Sequence, residues 1–153
     1  MKRLFLLFCI LFAAFHLVFS QNQGTSCASF HNDGVVWDTE YVDGQWYLVR
    51  GKGLDDIESD MNKLLEAWNK TSDIQIVLRE IKPEYVKIEI PNSEKLTQSF
   101  GSTGAMTILA SLVYTLTEHP QCNYLYLDFE EGDHAAPGIY SRSDYMDDFV
   151  ICY

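Results

Sequence analysis

The segment ILASLVYTLTEHPQCNYLYLDF, residues 108–129, contains a helix pattern followed within a few residues by a strand pattern. The helix begins a little upstream, where Ser102 or Thr103 can cap it, and extends to about Glu118, with Pro120 closing it. Its predicted apolar stripe consists of Ala105, Ile108, Leu109, Leu112, Val113 and Leu116. A helix with a single apolar stripe buries one face, so we expect it to cover one face of a sheet.

The strand pattern spans residues 123–129, where side chains of two kinds alternate. Successive side chains of a strand point to opposite faces, which places Leu125, Leu127 and Phe129 on one face and Tyr124, Tyr126 and Asp128 on the other. The aromatic face could form an exposed platform for a sugar ring or a protein partner. The alternative is that these tyrosines pack beneath the hairpins.

Upstream of this segment, the sequence predicts two hairpins with a helix between them. Two β-prone runs flank Asp43-Gly44 within residues 35–50, and Asp-Gly is typical of a two-residue hairpin turn. Alternating residues on either side of a turn at 82–84 predict a second hairpin, with strands over 74–81 and 85–91. The apolar stripe of the helix consists of Leu54, Ile57, Met61, Leu64, Leu65 and Trp68. Its first turns would hold Asp55, Asp56, Glu58 and Asp60, which the helix dipole favours.

The order of these elements predicts the fold class. We expect an α+β two-layer sandwich, in which an antiparallel or mixed sheet is covered on one face by two helices, with an N-terminal β-hairpin. The chain divides into a signal peptide at 1–20, an N-terminal segment and hairpin at 21–44, and an α+β domain with a C-terminal extension at 45–153.

Residues 1–20, MKRLFLLFCILFAAFHLVFS, have the basic start, apolar run and small final residue of a secretory signal peptide. Without them, the chain keeps all 22 acidic residues and carries a formal net charge of −13. A phosphate backbone would be repelled by that charge, which excludes nucleic acid as a partner. The apolar run is too short for a permanent membrane span. We therefore expect a secreted or periplasmic protein with no membrane span in the mature chain.

The densest polar cluster is DFEEGDHAAPGIYSR, residues 128–142, directly after the predicted strand. A loop of this length and composition predicts a binding surface, whose candidate residues are Asp128, Glu130, Asp133, His134 and Arg142, with Tyr124 and Tyr126 on the adjoining strand. The acidic donors fit no known metal-loop spacing, so neither a metal site nor a cofactor is predicted. One alternative is a solvated loop in which His134 or Arg142 pairs locally with these acids. Another is a well-packed Ω-like loop in which His134 is satisfied internally.

Motifs that carry catalysis are few in this sequence. It contains no GxSxG elbow, and GSTGA at 101–105 lacks the lysine and glycine spacing of a phosphate loop. The sequence therefore favours a non-catalytic secreted or envelope module that binds a protein partner or a cell-wall component. One alternative is a small glycan-acting hydrolase or lyase that uses carboxylates of the 128–133 loop. Another is a structural subunit that adds an edge strand to a neighbour.

The run FGSTGAMTILASLVYTLTEHPQCNYLYLDFEEGDHAAPGIYSR, residues 100–142, resembles the GerMN domain of the sporulation and spore-germination family. The family pattern is a Ser/Thr/Gly-containing helix start, a helix ending in a TLTE-like run and a strand, and TLTE at 115–118 is the closest match. The likeness covers roughly residues 45–142 as a single copy. It implies a compact α+β domain on a secreted or envelope protein and supplies no catalytic residues. The long 130–142 loop departs from the short glycine turn of the family, which puts a ring-forming role in question.

Three cysteines remain after removal of the signal peptide, so at most one bridge forms within the chain. Cys27 and Cys152 lie outside the span that resembles the family, near the two termini, and the termini of a domain often lie close together. Cys122 lies at the entry to an inner strand, where a free buried thiol is common. A Cys27–Cys152 bridge is therefore predicted, with Cys122–Cys152 as the alternative.

Overall fold

The computed structural model describes residues 25–153, and the predicted signal peptide lies outside them. In chain order the elements are β1 (Asp38–Val42), β2 (Gln45–Val49), α1 (Met61–Thr71), β3 (Val77–Ile81), β4 (Val86–Glu89), α2 (Gly101–Leu116), β5 (Leu125–Asp128), β6 (Gly138–Tyr140) and β7 (Phe149–Cys152). Short 3₁₀ turns occur at Cys27–Ser29, Lys52–Asp56 and Arg142–Tyr145, and a π-helical turn at Lys95–Ser99. No helix within 25–153 is long and apolar enough to cross a membrane.

The strands form two sheets rather than the one expected, although the α+β class is confirmed. The first sheet has the order β1-β2-β7 and the second has the order β3-β4-β5-β6. Both are mixed, because β2 pairs in parallel with β7, and β4 with β5, while the remaining pairs are antiparallel. Strands β6 and β7 were not predicted because three or four residues are too few to display an alternating pattern.

Both predicted hairpins are confirmed. In the first, Asp43 and Gly44 have φ of 53° and 84°, as a type I′ turn requires, and Val42 pairs with Gln45. The domain boundary predicted between residues 44 and 45 lies inside this turn. In the second hairpin, β3 starts at Val77, later than predicted, and the preceding residues Ile74 and Ile76 are buried without belonging to a strand.

Helix α1 begins seven residues later than the apolar pattern predicts, so the expected helix from Leu54 is wrong. Leu54 lies in a 3₁₀ turn, Lys52–Asp56, and is buried there. The Asp60 side chain starts the helix, because it accepts hydrogen bonds from the backbone N–H groups of Asn62 at 3.0 Å and Lys63 at 3.4 Å. The apolar spacing runs through both the 3₁₀ turn and the helix, because both segments bury side chains in the same core.

We expect Asp60→Ala to lower the free energy of unfolding by about 1 kcal/mol, since it leaves helix N–H groups without an acceptor. Urea unfolding monitored by circular dichroism measures this loss. Asp56→Ala is the matched control, because Asp56 is exposed and lies before the helix. Equal losses in the two variants would mean that the helix starts upstream.

Helix α2 differs from its prediction in two ways. Its N-cap is Phe100, whose side chain makes no capping hydrogen bond, so neither Ser102 nor Thr103 caps it. The five consecutive residues 112–116 are all buried, so the second half of the helix is buried on every side. The expectation of a single buried stripe is therefore wrong. The chain before β1 contributes to the burial of this half of the helix. There the backbone N–H of Trp37 donates to Thr115 Oγ1 at 3.0 Å.

The predicted Cys27–Cys152 bridge is confirmed, with the two Cα atoms 5.2 Å apart. It joins the N-terminal 3₁₀ turn to β7, and a small apolar cluster formed by Tyr47, Val49 and Cys152 packs around it. Cys122 is free and buried. The bridge thus links the two ends of the described chain covalently beside the first sheet.

Candidate functional site

The outer face of the second sheet is its side opposite the core. The core side carries buried residues of β4 and β5, namely Val86, Ile88, Leu125 and Leu127. The outer face carries Tyr85, Lys87, Glu89, Tyr124, Tyr126, Asp128 and Ile139. The alternation predicted for residues 124–129 is therefore confirmed, and the predicted tyrosines lie on the side that no helix within residues 25–153 covers.

Aromatic and aliphatic side chains lie on the outer face beside β4, on β5 and on the edge strand β6. The rings of Tyr85 and Tyr126 lie 5.9 Å apart, and Ile139 on β6 is the register partner of Tyr126. Ile139 is 63% exposed and Tyr124 is 49% exposed. These side chains form a continuous apolar surface across neighbouring strands, and large apolar groups in such a position are typical of an interaction site.

The charges of the outer face are paired with one another. Lys87 Nζ lies 2.8 Å from the Asp128 carboxylate and 5.2 Å from the centroid of the Tyr126 ring. The hydrogen bond to Asp128 raises the pKa of Lys87 above its usual value. Arg79 on β3 forms an ion pair with Glu89 on β4. This surface therefore has little net charge, although the chain as a whole is strongly acidic.

The acidic loop is fastened to the start of helix α2. The backbone N–H of His134 donates to Thr97 O at 3.1 Å, and its Nδ1 lies 3.2 Å from Ser102 Oγ. Glu130 and Asp133 are exposed, and Glu130 lines a shallow groove that includes Ser93. This arrangement matches the alternative of a packed loop, in which His134 pairs locally.

Arg142 lies at the other end of α2. Its Nε donates to Thr117 Oγ1 at 2.8 Å, and its Nη2 donates to Tyr114 O at 3.1 Å and to a Glu118 oxygen at 2.6 Å. The guanidinium also lies 4.9 Å from the Tyr114 ring centroid. A helix of this length separates its ends by about 24 Å. His134 and Arg142 therefore contact opposite ends of α2, and a partner bound through both of them stays a prediction.

The sequence analysis missed an ion cluster around Glu118. The Glu118 side chain is 9% exposed and accepts hydrogen bonds from Trp37 Nε1 at 2.9 Å, from Arg50 Nη2 at 2.9 Å and from Arg142. Arg50 also pairs with Asp55 at 2.6 Å and Glu58 at 2.7 Å. Burial raises the pKa of Glu118, but the hydrogen bonds from Arg50, Trp37 and Arg142 outweigh it and hold that pKa below its ordinary value. This cluster joins the first hairpin, α2 and the C-terminal segment.

The carboxylates of the 128–133 loop do not form a compact set in the described chain. Asp128 is paired with Lys87 on the outer face, and Glu130 lines the groove beside the π-helical turn. No group of three or more His, Cys, Asp or Glu side chains within 25–153 could hold a metal ion.

Comparisons with known proteins complete this description. No protein-family model and no curated protein matches the chain. A solved structure of the tandem GerMN domains of the sporulation protein GerM from Bacillus subtilis is similar to it, with 17% sequence identity and a TM-score of 0.41. The match covers 80% of this chain and 49% of that chain, so this chain spans about half the length of that protein. Membership of the GerMN family stays a prediction.

Proposed function

We propose that this protein is a secreted or envelope-associated binding module that recognises a protein partner through the outer face. The observation that carries the proposal is the apolar patch formed by Tyr85, Tyr126 and Ile139 on a sheet face that no helix of residues 25–153 covers. Membership of the GerMN family, in a single copy, belongs to the same proposal.

The composition of the outer face supports a protein partner. Protein interfaces have an aromatic and aliphatic centre, and charged residues stand at their rim. Here Tyr126 and Ile139 lie side by side on β5 and the edge strand β6, while the Arg79–Glu89 pair lies on β3 and β4 at the other side of the sheet. Because Lys87 and Asp128 neutralise each other, a partner would cover them without leaving an unpaired charge.

The Cys27–Cys152 bridge supports the extracytoplasmic location. Disulfides persist in oxidising compartments and are rare in the cytosol, where thiols are kept reduced. The predicted signal peptide at 1–20 supports the same location.

Site-specific photo-crosslinking in envelope extract of the host tests this proposal. A photoreactive amino acid replaces Ile139 in one variant and Glu66 in a matched control, because Glu66 is exposed on α1 and lies outside the second sheet. We expect a discrete crosslinked protein from position 139 and none from position 66. Adding Tyr126→Ser should weaken the capture about tenfold or more, as loss of a central aromatic contact does.

Two results would contradict the protein-partner proposal. Equal crosslinking from both positions would mean that capture is non-specific. Cosedimentation of the protein with purified cell wall, without any crosslinked protein from position 139, would make a wall component the partner instead.

A further inference from the structure

We propose that the protein also binds a neutral sugar residue in a cavity beside the outer face. The cavity has a volume of about 430 Å³ and is lined by Thr117, Cys122, Asn123, Tyr124, Ser141, Arg142 and Ser143. It lies between the entry to β5 and the turn that follows β6. Ligand pockets commonly have volumes of about 300–1,000 Å³. This inference is independent of the protein partner proposed for the outer face.

The Arg142 guanidinium is held rigidly at the wall of the cavity. Its Nε and Nη2 are engaged by Thr117, Tyr114 and Glu118, whereas its Nη1 has no hydrogen-bond partner among residues 25–153. One edge of the group is thus fixed by the protein and two N–H donors remain for a ligand. A donor oriented in advance loses little side-chain freedom on binding.

The other lining groups supply the hydrogen-bonding groups and the apolar stacking surface that a sugar requires. Asn123 is exposed, and its side-chain amide, which can both donate and accept, makes no hydrogen bond within the described chain. The Ser141 hydroxyl donates to Asp144 and lies 2.7 Å from the Ser143 hydroxyl, so the two hydroxyls use their hydrogens within the chain and their oxygens can accept from a sugar. The half-exposed Tyr124 ring offers an apolar surface on which the C–H face of a sugar ring can stack.

The surrounding charges favour a neutral ligand over an anion. Glu118 already neutralises Arg142, and the Asp144 carboxylate accepts hydrogen bonds from Ser141 Oγ at 3.1 Å and from the Ser141 backbone N–H. The mature chain also carries the formal net charge of −13 noted above. A carboxylate or phosphate would be repelled by these groups, whereas sugar hydroxyls can meet both the donors and the acceptors.

Titration of the ¹⁵N-labelled mature chain, with its bridge intact, tests the inference. The probes are N-acetylglucosamine, glucose, galactose and mannose as methyl glycosides, with acetate as the anionic comparison. We expect at least one glycoside to shift the backbone amide signals of Asn123 and Ser143 saturably in the millimolar range. Asn123→Ala and Tyr124→Ala should each weaken that binding about tenfold or more, since they remove an amide partner and the stacking ring. Tyr126→Ala, on the same face but outside the cavity, should bind as the wild type does.

Four outcomes would overturn the sugar assignment. The first three are the absence of saturable shifts with all four glycosides, binding of acetate in place of the glycosides, and unchanged glycoside binding by Asn123→Ala. Loss of glycoside binding in Tyr126→Ala would also overturn it, because the sugar would then lie on the outer face. None of these results bears on crosslinking from position 139, so the two proposals fail separately.

Discussion

Replacing Cys27 and Cys152 together with alanine is expected to lower the free energy of unfolding by about 4 kcal/mol. The bridge joins residues 125 positions apart in the sequence, so it removes much of the conformational freedom of the unfolded chain. Denaturant unfolding at pH 7 of the oxidised wild type and of the double variant measures the loss.

The reduced wild type separates the effect of the bridge from that of the substitutions. It should lose about as much stability as the double variant, since both lack the same crosslink. Cys122 does not complicate the comparison, because burial raises its pKa to about 12 and keeps the thiol protonated and slow to exchange. Equal stability of the reduced and oxidised wild types would contradict the prediction.

The second large effect is expected at Glu118. Glu118→Ala should lower the free energy of unfolding by about 3 kcal/mol, because it leaves Arg50, Arg142 and the Trp37 N–H without their shared acceptor. Glu118→Gln should cost less, since its amide oxygen can still accept one of these hydrogen bonds. Glu66→Ala is the control, because its i,i+4 pair with Lys70 is exposed and such pairs contribute little to stability. A Glu118→Ala variant as stable as the control would contradict this account.

The pKa of Glu118 also predicts how its contribution depends on pH. Its pKa in the folded protein lies below the ordinary value of 4.5, so the folded state favours the ionised carboxylate. The resulting stabilisation is complete above that ordinary value and is lost as the pH falls through the lower, folded pKa. The difference in stability between the wild type and Glu118→Gln should therefore shrink below pH 4.5 and stay constant near neutrality.

Local sequence patterns predicted the hairpins, the outer face and part of each helix. The Asp43-Gly44 turn and the alternation through Tyr124 and Tyr126 depend only on residues within a few positions of one another. The start of α1 was misplaced because the Asp60 cap competes with an apolar spacing that continues across it. Capping chemistry decided the boundary there, and periodicity did not.

Features that depend on distant residues were beyond the reach of these patterns. The separate first sheet was not anticipated, because it depends on the pairing of β2 with β7, about a hundred residues further along the chain. The Glu118 cluster was missed for the same reason, since Arg50 and Glu118 are 68 positions apart and no local motif links them. The cavity likewise combines residues from the entry to β5 with residues after β6. The disulfide was predicted only because domain termini tend to lie close together.

The parallel pairing of β2 with β7 sets an order of events during biosynthesis. Trp46 pairs with Phe149 and Val49 with Cys152, so the first sheet cannot be completed until the ribosome has added residue 152. Closing so long a loop is slow compared with forming the local hairpins. This topology therefore delays completion of the fold until residue 152 has been made, while the local hairpins can form earlier.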